Sequence, residues 1–225
     1  NYNKNLNLDI KKIYKNLNSN TSLVIISNPN SPTGTFIKKE NLKKIILKAK
    51  KFNIKVVIDE AYYGFSKHTV LPFVRRFNNL IVLRTFSKAY GLAGLRVGYI
   101  VSNPQNIKKL FSIKPMYEIN SLGILAANIL LKNNSIKSNY IKDSLKGKKY
   151  LINFFNKKKI KYLKSDGNFI LFDLKKNKNR YLKIFLRRKI KIAKNLRIKG
   201  HENYLRITTA PISIMRKVIS ILKSY

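Results

Sequence analysis

Two spacings of hydrophobic residues alternate along the chain, and each implies a different element. Residues 22–27 (SLVIIS) form a short β-branched run that leads into the turn-rich NPNSPTGT at 28–35. Leu42, Ile45, Ile46, Ala49 and Phe52 then recur at helical spacing in a segment otherwise dominated by lysine. IKVVID, at 54–59, supplies a second strand of the buried type. This strand–helix–strand order predicts a βαβ unit with parallel strands and a right-handed crossover. LIVL (80–83) reads as a third strand and RVGYIV (96–101) as a fourth.

Beyond Pro115 the pattern changes. Residues 116–131 and 140–155 carry helical periodicity, the first strongly apolar. NFILFDL (168–174) and YLRIT (204–208) read as strands, 180–188 as a short helix, and 212–222 as a closing amphipathic helix after Pro211. The expected organisation is α/β: a sheet-based domain over 1–115, then a smaller α+β domain over 116–225 that begins with a connecting helix. No internal repeat is visible.

Composition narrows the function classes. The 225 residues are 44% hydrophobic and 11% aromatic, enough to bury a core rather than remain disordered. A net charge of +39 would ordinarily suggest a polyanionic partner. The basic residues, however, are mostly lysines spread among asparagine and isoleucine, without arginine clusters or stacking aromatics. That distribution fits a coding bias that fills solvated surface, and neither a nucleic acid nor a membrane is expected as partner. The absence of cysteine excludes disulfides and thiolate metal sites. With only His68 and His201, a histidine-rich metal site is not expected. The longest apolar run, LGILAANILL from Leu122, is shorter than the roughly 20 residues of a membrane span.

The chemistry gathers at strand ends. The first strand runs into 28–34, the second into Asp59–Tyr62 and the third into Ser87–Lys88. Ligands of open parallel sheets bind beyond the carboxyl ends of the strands. Asn30 or Ser31, Asp59, Tyr62, Ser87 and Lys88 are therefore expected along one edge. Asp59 is one of nine acidic residues and follows Val56, Val57 and Ile58. Such a carboxylate either caps the following turn or meets a positive nitrogen. Lys88 lies between Ser87 and Ala89, with glycines after it and Arg84 and Arg96 nearby. Apolar neighbours and nearby cations are conditions under which a lysine amine becomes a nucleophile.

NPNSPTGT, VVIDEAYYGF and LRTFSKAYGLAGLRVGY, in that order, resemble fold-type I pyridoxal-phosphate aminotransferases of class I/II. Among these, the histidinol-phosphate aminotransferases look nearest. The likeness continues through DGNFILFDL and YLRIT and covers essentially the whole chain. It implies a partial large domain with a mostly parallel sheet and a smaller C-terminal domain. The cofactor implied is pyridoxal 5'-phosphate, held covalently by Lys88 with Asp59 against its pyridinium nitrogen. Tyr62 would meet its phenolic oxygen, and Ser87 and Arg96 its phosphate. Gly91, Gly94 and Gly98 would allow the chain to pass closely around that phosphate. Arg206 resembles the arginine for the substrate carboxylate, and Asn168 a contact beside or behind the substrate. The alternation of Leu205, Arg206 and Ile207 agrees, since it turns Arg206 away from its apolar neighbours. The implied enzyme is a cytoplasmic homodimer acting on small-molecule amino acids and 2-oxo acids.

Three departures qualify the likeness. Ser31 stands where the family usually has asparagine, so the bond to the cofactor oxygen comes from Ser31, from Asn30, or is absent. The family's arginine for a substrate phosphate aligns with Ala193 or Lys194, so Lys194 or Arg197 would have to bind it. The family also carries an upstream portion with a phosphate loop, a stacking aromatic and a tyrosine that reaches the neighbouring subunit. This chain opens at Asn1, reads as N-terminally truncated, and is expected to be inactive alone. Competing readings are a threonine-phosphate decarboxylase, which resembles the same motifs, and a non-catalytic basic protein that binds nucleic acid.

Overall fold

Alternating burial along the first three strands fixes how the first half of the chain packs. The computed structural model describes residues 6–194, 196 and 198–223. Strands β1 (Leu23–Ser27), β2 (Lys55–Asp59) and β3 (Leu80–Thr85) pair in parallel, and β4 (Gly98–Ser102) closes the sheet antiparallel to β3. The sheet order is β1-β2-β3-β4. Ile26, Val56, Ile58, Leu80 and Val82 all point to one buried face. Helix α2 (Lys39–Lys51) covers that face with Leu42, Ile45, Ile46 and Ala49, the positions its periodicity marks. The lysines between them stay in water, which lets so basic a segment be a core helix. The opposite face leaves Leu23, Ile25 and Ile100 exposed.

Elements the hydrophobic pattern does not announce are set by caps. Helix α1 (Ile10–Lys15) starts where the Asp9 carboxylate accepts from the Lys12 amide at 3.1 Å. Helix α3 (Pro104–Ser112) starts at Asn103, whose side chain accepts from the Asn106 amide at 2.8 Å, with Pro104 in the first turn. The apolar helix expected from 116 begins later, as α4 (Ser121–Lys132), because Asn120 caps it through the Gly123 amide at 2.7 Å. The next helix, α5 (Asn134–Lys157), begins six residues before the 140 expected from its periodicity.

The chain divides into two compact units. The first contains residues 1–31 and 35–137, the second 32–34 and 138–225. The division between Lys137 and Ser138 falls later than Pro115, and α4 packs with the first unit through Ala127 against Phe86 and Val97. In the second unit β5 (Tyr162–Leu163), β6 (Phe169–Asp173) and β7 (Tyr204–Thr208) form an antiparallel sheet in that order. Phe155 of α5, Tyr181 and Phe185 of α6 (Lys178–Arg187), and Met215, Val218 and Leu222 of α7 (Ile212–Leu222) bury its inner face. Among the described residues no helix is long and apolar enough to cross a membrane.

Gly147 sets the approach of α5 to the chain before α7. A Cβ at this position would fall inside contact distance of the Ala210 carbonyl oxygen and press on Met215. Gly147→Ala should gain about 1 kcal/mol of helix propensity but lose about 1–3 kcal/mol to overpacking against a backbone atom that cannot rotate away. A net loss of stability in denaturant unfolding is expected; a gain would show that the approach is loose.

Candidate active site

Parallel register brings the carboxyl ends of β1, β2 and β3 to one edge. Ser27 stands opposite Asp59, and Asp59 opposite Leu83. The residues that follow each strand therefore emerge together, as the sequence implies.

Asp59 closes β2 on the face away from α2. Its Oδ1 accepts from the Ala61 amide at 2.9 Å. The turn-capping alternative is thus real, but it engages one oxygen and leaves Oδ2 for another donor. Tyr62 follows in a tight loop: its carbonyl accepts from the Phe65 and Ser66 amides at 3.1 and 3.0 Å, and its side chain is buried. Lys88 reaches back to it, with Nζ 5.7 Å from the centre of the Tyr62 ring. Ser87 is fixed by its own amide, which donates to Thr85 Oγ1 at 3.0 Å.

Arg96 lies on the turn into β4. Its backbone is left-handed (φ 57°), its side chain is exposed, and Nη1 donates to the Ala93 carbonyl at 3.1 Å. Gly91 is also left-handed (φ 73°), and open space surrounds the positions a Cβ would take at Gly91 and Gly94. Gly98 differs: a Cβ there would sit 2.9 Å from the Arg84 carbonyl oxygen, so its need is close strand packing. On the first loop Asn30 is buried and Ser31 exposed. The Asn28 side chain closes that loop, accepting from the Ile37 amide at 2.7 Å and donating to the Ile37 carbonyl at 3.3 Å.

The remaining sequence candidates belong to the second unit. Arg206 is central in β7, opposite Leu171, between fully buried Leu205 and buried Ile207. Its guanidinium carbon lies 5.1 Å from the centre of the Phe169 ring. Asn168 is buried just before β6, and its carbonyl accepts from the Thr209 amide at 2.8 Å. Lys194 is exposed beside Ala193, which bridges to Arg206; Arg197 lies outside the described residues.

Two groups of functional interest escape a reading based on motif ends. The first is Glu60 with Arg84. Arg84 reads in sequence as a cation near Lys88, yet its Nη2 lies 2.9 Å from Glu60 Oε2, with side-chain exposures of 8% and 1%. Its Nε donates to the same oxygen at 3.1 Å, and its guanidinium carbon stacks 3.5 Å from the centre of the Tyr63 ring. Burial works against the guanidinium's charge, but hydrogen bonds to Tyr99 and Glu60 and the Glu60 charge outweigh it, raising its pKa. The signal was present: Ile54, Val56, Ile58 and then Glu60 share one face, as do Leu80, Val82 and then Arg84.

The second is Lys148. Its Nζ donates to the carbonyls of Ser165 and, at 2.7 Å, Gly167, which ties α5 to the turn before Asn168. The Gly34 carbonyl accepts from the Asp166 amide at 2.8 Å in the same turn, and a Cβ on Gly34 would collide with Ser165. Nothing marks Lys148 among so many lysines in the sequence.

These residues belong to a known family. The chain matches the family described as aminotransferase class I and II over residues 1–217. It is a member of that family. Over 225 residues it is 40% identical to a histidinol-phosphate aminotransferase of a Thermoanaerobacter species, covering 99% of this chain and 61% of that one. The chain spans about three fifths of the length of the curated relatives it matches. The crystal structure of the histidinol-phosphate aminotransferase from Clostridium acetobutylicum superposes with a TM-score of 0.86 at 24% identity, covering 99% of this chain and 69% of that one. The L-threonine-O-3-phosphate decarboxylase of Porphyromonas gingivalis superposes with a TM-score of 0.77 at 26% identity, covering 92% and 65%. The fold is that of fold-type I enzymes, an α/β unit with a mostly parallel sheet and a separate small antiparallel sheet.

Burial holds the Lys148 ammonium down at about 8 from its ordinary 10.5, and the nearby Asp166 charge offsets this only in part. Between those values the unfolded chain binds the extra proton. Stability should therefore rise with pH through that window, the burial penalty being felt in full below pH 8. Wild type should gain on the order of 1–3 kcal/mol relative to Lys148→Met between pH 8 and 10.5. Denaturant unfolding at stepped pH measures this, and equal slopes would contradict it.

Proposed function

We propose that the chain contributes the pyridoxal-phosphate site of an aminotransferase acting on histidinol phosphate or a related amino acid, with a 2-oxo acid, 2-oxoglutarate, as acceptor. The observation that carries this is the set of donors at the sheet edge: a carboxylate with one oxygen uncommitted, a buried tyrosine and a lysine amine 5.7 Å from its ring centre. That set suits a protonated ring nitrogen, a phenolic oxygen and an aldehyde, and no simpler ligand asks for all three.

Each residue has a distinct task. Asp59 would keep the ring nitrogen protonated, and Tyr62 would donate to the phenolic oxygen. Ser87 and Arg96 would hold the phosphate, the guanidinium by paired hydrogen bonds. Pyridoxal phosphate, when bound, supplies a conjugated ring that accepts the electron pair released at the substrate's α-carbon. Lys88 would hold the cofactor between turnovers and would then serve as the base for the proton of that α-carbon. On the first loop either Asn30, which is buried, or Ser31, which is exposed, would contact the cofactor oxygen.

In the second unit Arg206 would bind the substrate carboxylate, Asn168 would lie beside it, and Lys194 would attract a substrate phosphate as a point charge. The 40% identity to a histidinol-phosphate aminotransferase supports amino transfer over the decarboxylation suggested by the Porphyromonas gingivalis structure. A homodimer is the proposed assembly; Leu122, Leu125 and Ile129 of α4 lie exposed and would be covered in it.

Borohydride reduction after incubation with pyridoxal phosphate should leave a pyridoxyl group on Lys88, located by peptide mapping. Lys88→Ala should lose it and lower amino transfer from histidinol phosphate to 2-oxoglutarate by about 10³-fold or more in the whole protein. Carbon dioxide release from threonine phosphate without amino transfer would favour the decarboxylase instead. Adducts spread over surface lysines alone would overturn the cofactor assignment.

A further inference from the structure

Three segments carry the proposed cofactor residues of the first unit: the end of β2 with Asp59, the 61–69 loop with Tyr62, and the end of β3 leading to Ser87 and Lys88. One buried carboxylate touches all three. Glu60 follows Asp59 directly, and its amide donates to the Leu83 carbonyl at 2.9 Å. Its Oε1 accepts from the Val70 amide at 2.7 Å, and its Oε2 accepts from the Thr69 hydroxyl at 2.8 Å. The far end of the Tyr62 loop is thereby fastened to its beginning. From β3, Arg84 donates to Oε2 through both Nε and Nη2, and Nη2 also donates to Thr69 Oγ1 at 2.9 Å. The same guanidinium lies over the ring of Tyr63, next to Tyr62, with its carbon 3.5 Å from the ring centre.

Alternation along the strands makes this arrangement possible. Asp59 and Glu60 are neighbours, so they face opposite sides of the sheet: Asp59 toward the proposed cofactor, Glu60 into the core beside Arg84. The register pairs Ile58 with Val82 and Asp59 with Leu83, which brings Glu60 and Arg84 level at the next step. A hydrophobic pair there would fill the same space without binding the loop. A charged pair in which Oε2 takes Arg84 and the Thr69 hydroxyl while Oε1 takes the Val70 amide fixes the loop in one position.

We propose that Glu60 and Arg84 are positioning residues of the cofactor site, whose buried contact holds Asp59, Tyr62 and Lys88 in register with one another. This rests on the cofactor reading above for its consequence, while the clamp itself is a property of the chain alone. Loosening it should misplace Tyr62 and Lys88 without unfolding the sheet.

Residue-resolved amide hydrogen exchange, without cofactor, tests the clamp in Arg84→Lys and in the milder Thr69→Val, which replaces the hydroxyl with a methyl. Exchange at Phe65, Ser66 and Val70 should quicken about tenfold or more, while Val56 and Ile58 within β2 keep their wild-type rates. Borohydride trapping with pyridoxal phosphate tests the consequence. The rate of adduct formation at Lys88, relative to exposed Lys146, should fall about tenfold in the same variants. Should Arg84→Lys fail to fold, Thr69→Val carries the test. Unchanged local exchange in a folded variant, or a uniform rise that includes Val56 and Ile58, overturns the clamp. Quickened loop exchange with unchanged trapping at Lys88 overturns its positioning role. A wild-type protein that forms no adduct at Lys88, with the loop still responding, overturns the cofactor reading and upholds the clamp.

Discussion

Where β2 and β3 leave the core, their apolar inner face is continued by two charges, Glu60 and Arg84, rather than by another pair of aliphatic side chains. Removing either partner would strand the other in the interior, at a cost of about 3–5 kcal/mol. That penalty is why the strand ends hold one arrangement. The main chain of Glu60 is bonded to β3, its carboxylate to the end of the following loop, and its neighbour Asp59 is turned the other way. The candidate site is in this sense the outer face of a structure whose inner face is the ion pair.

Acids are scarce in this chain, nine against 48 lysines and arginines, so their positions carry information. Asp59 and Glu60 occupy the two faces of one strand end, and Asp9 caps a helix. Most of the lysines cover the surface, as on α2, and give the protein its charge without taking part in its fold. Lys148 is the contrast. It is withdrawn from water to bind two carbonyls in the turn before Asn168, and its proton affinity drops accordingly.

Much of the fold was legible in the sequence because burial and periodicity coincide there. β7 and α7 match their expected bounds, and the parallel pairing of β1 with β2 follows from the strand–helix–strand pattern. Where short polar side chains decide, periodicity is silent: α1 and α3 begin at Asp9 and Asn103, and α4 waits for Asn120. The site was legible in part. Asp59, Tyr62, Ser87 and Lys88 share the strand-end edge expected of them. Reading Arg84 only as a cation near Lys88 misses its partner because the pairing depends on register between strands, which sequence spacing alone does not give. Lys148 was illegible, since its environment is made by residues that follow it by nearly twenty positions.

The account stands on a single spatial claim: Asp59, Tyr62 and Lys88 surround one aromatic ring at the edge of the parallel strands. A crystal structure of the protein grown with pyridoxal phosphate measures it directly. The account predicts the ring nitrogen against Asp59 Oδ2, the phenolic oxygen toward Tyr62 and the phosphate beside Ser87. Cofactor density at another place, or Asp59 and Lys88 opening into separate spaces with no ring between them, would contradict it.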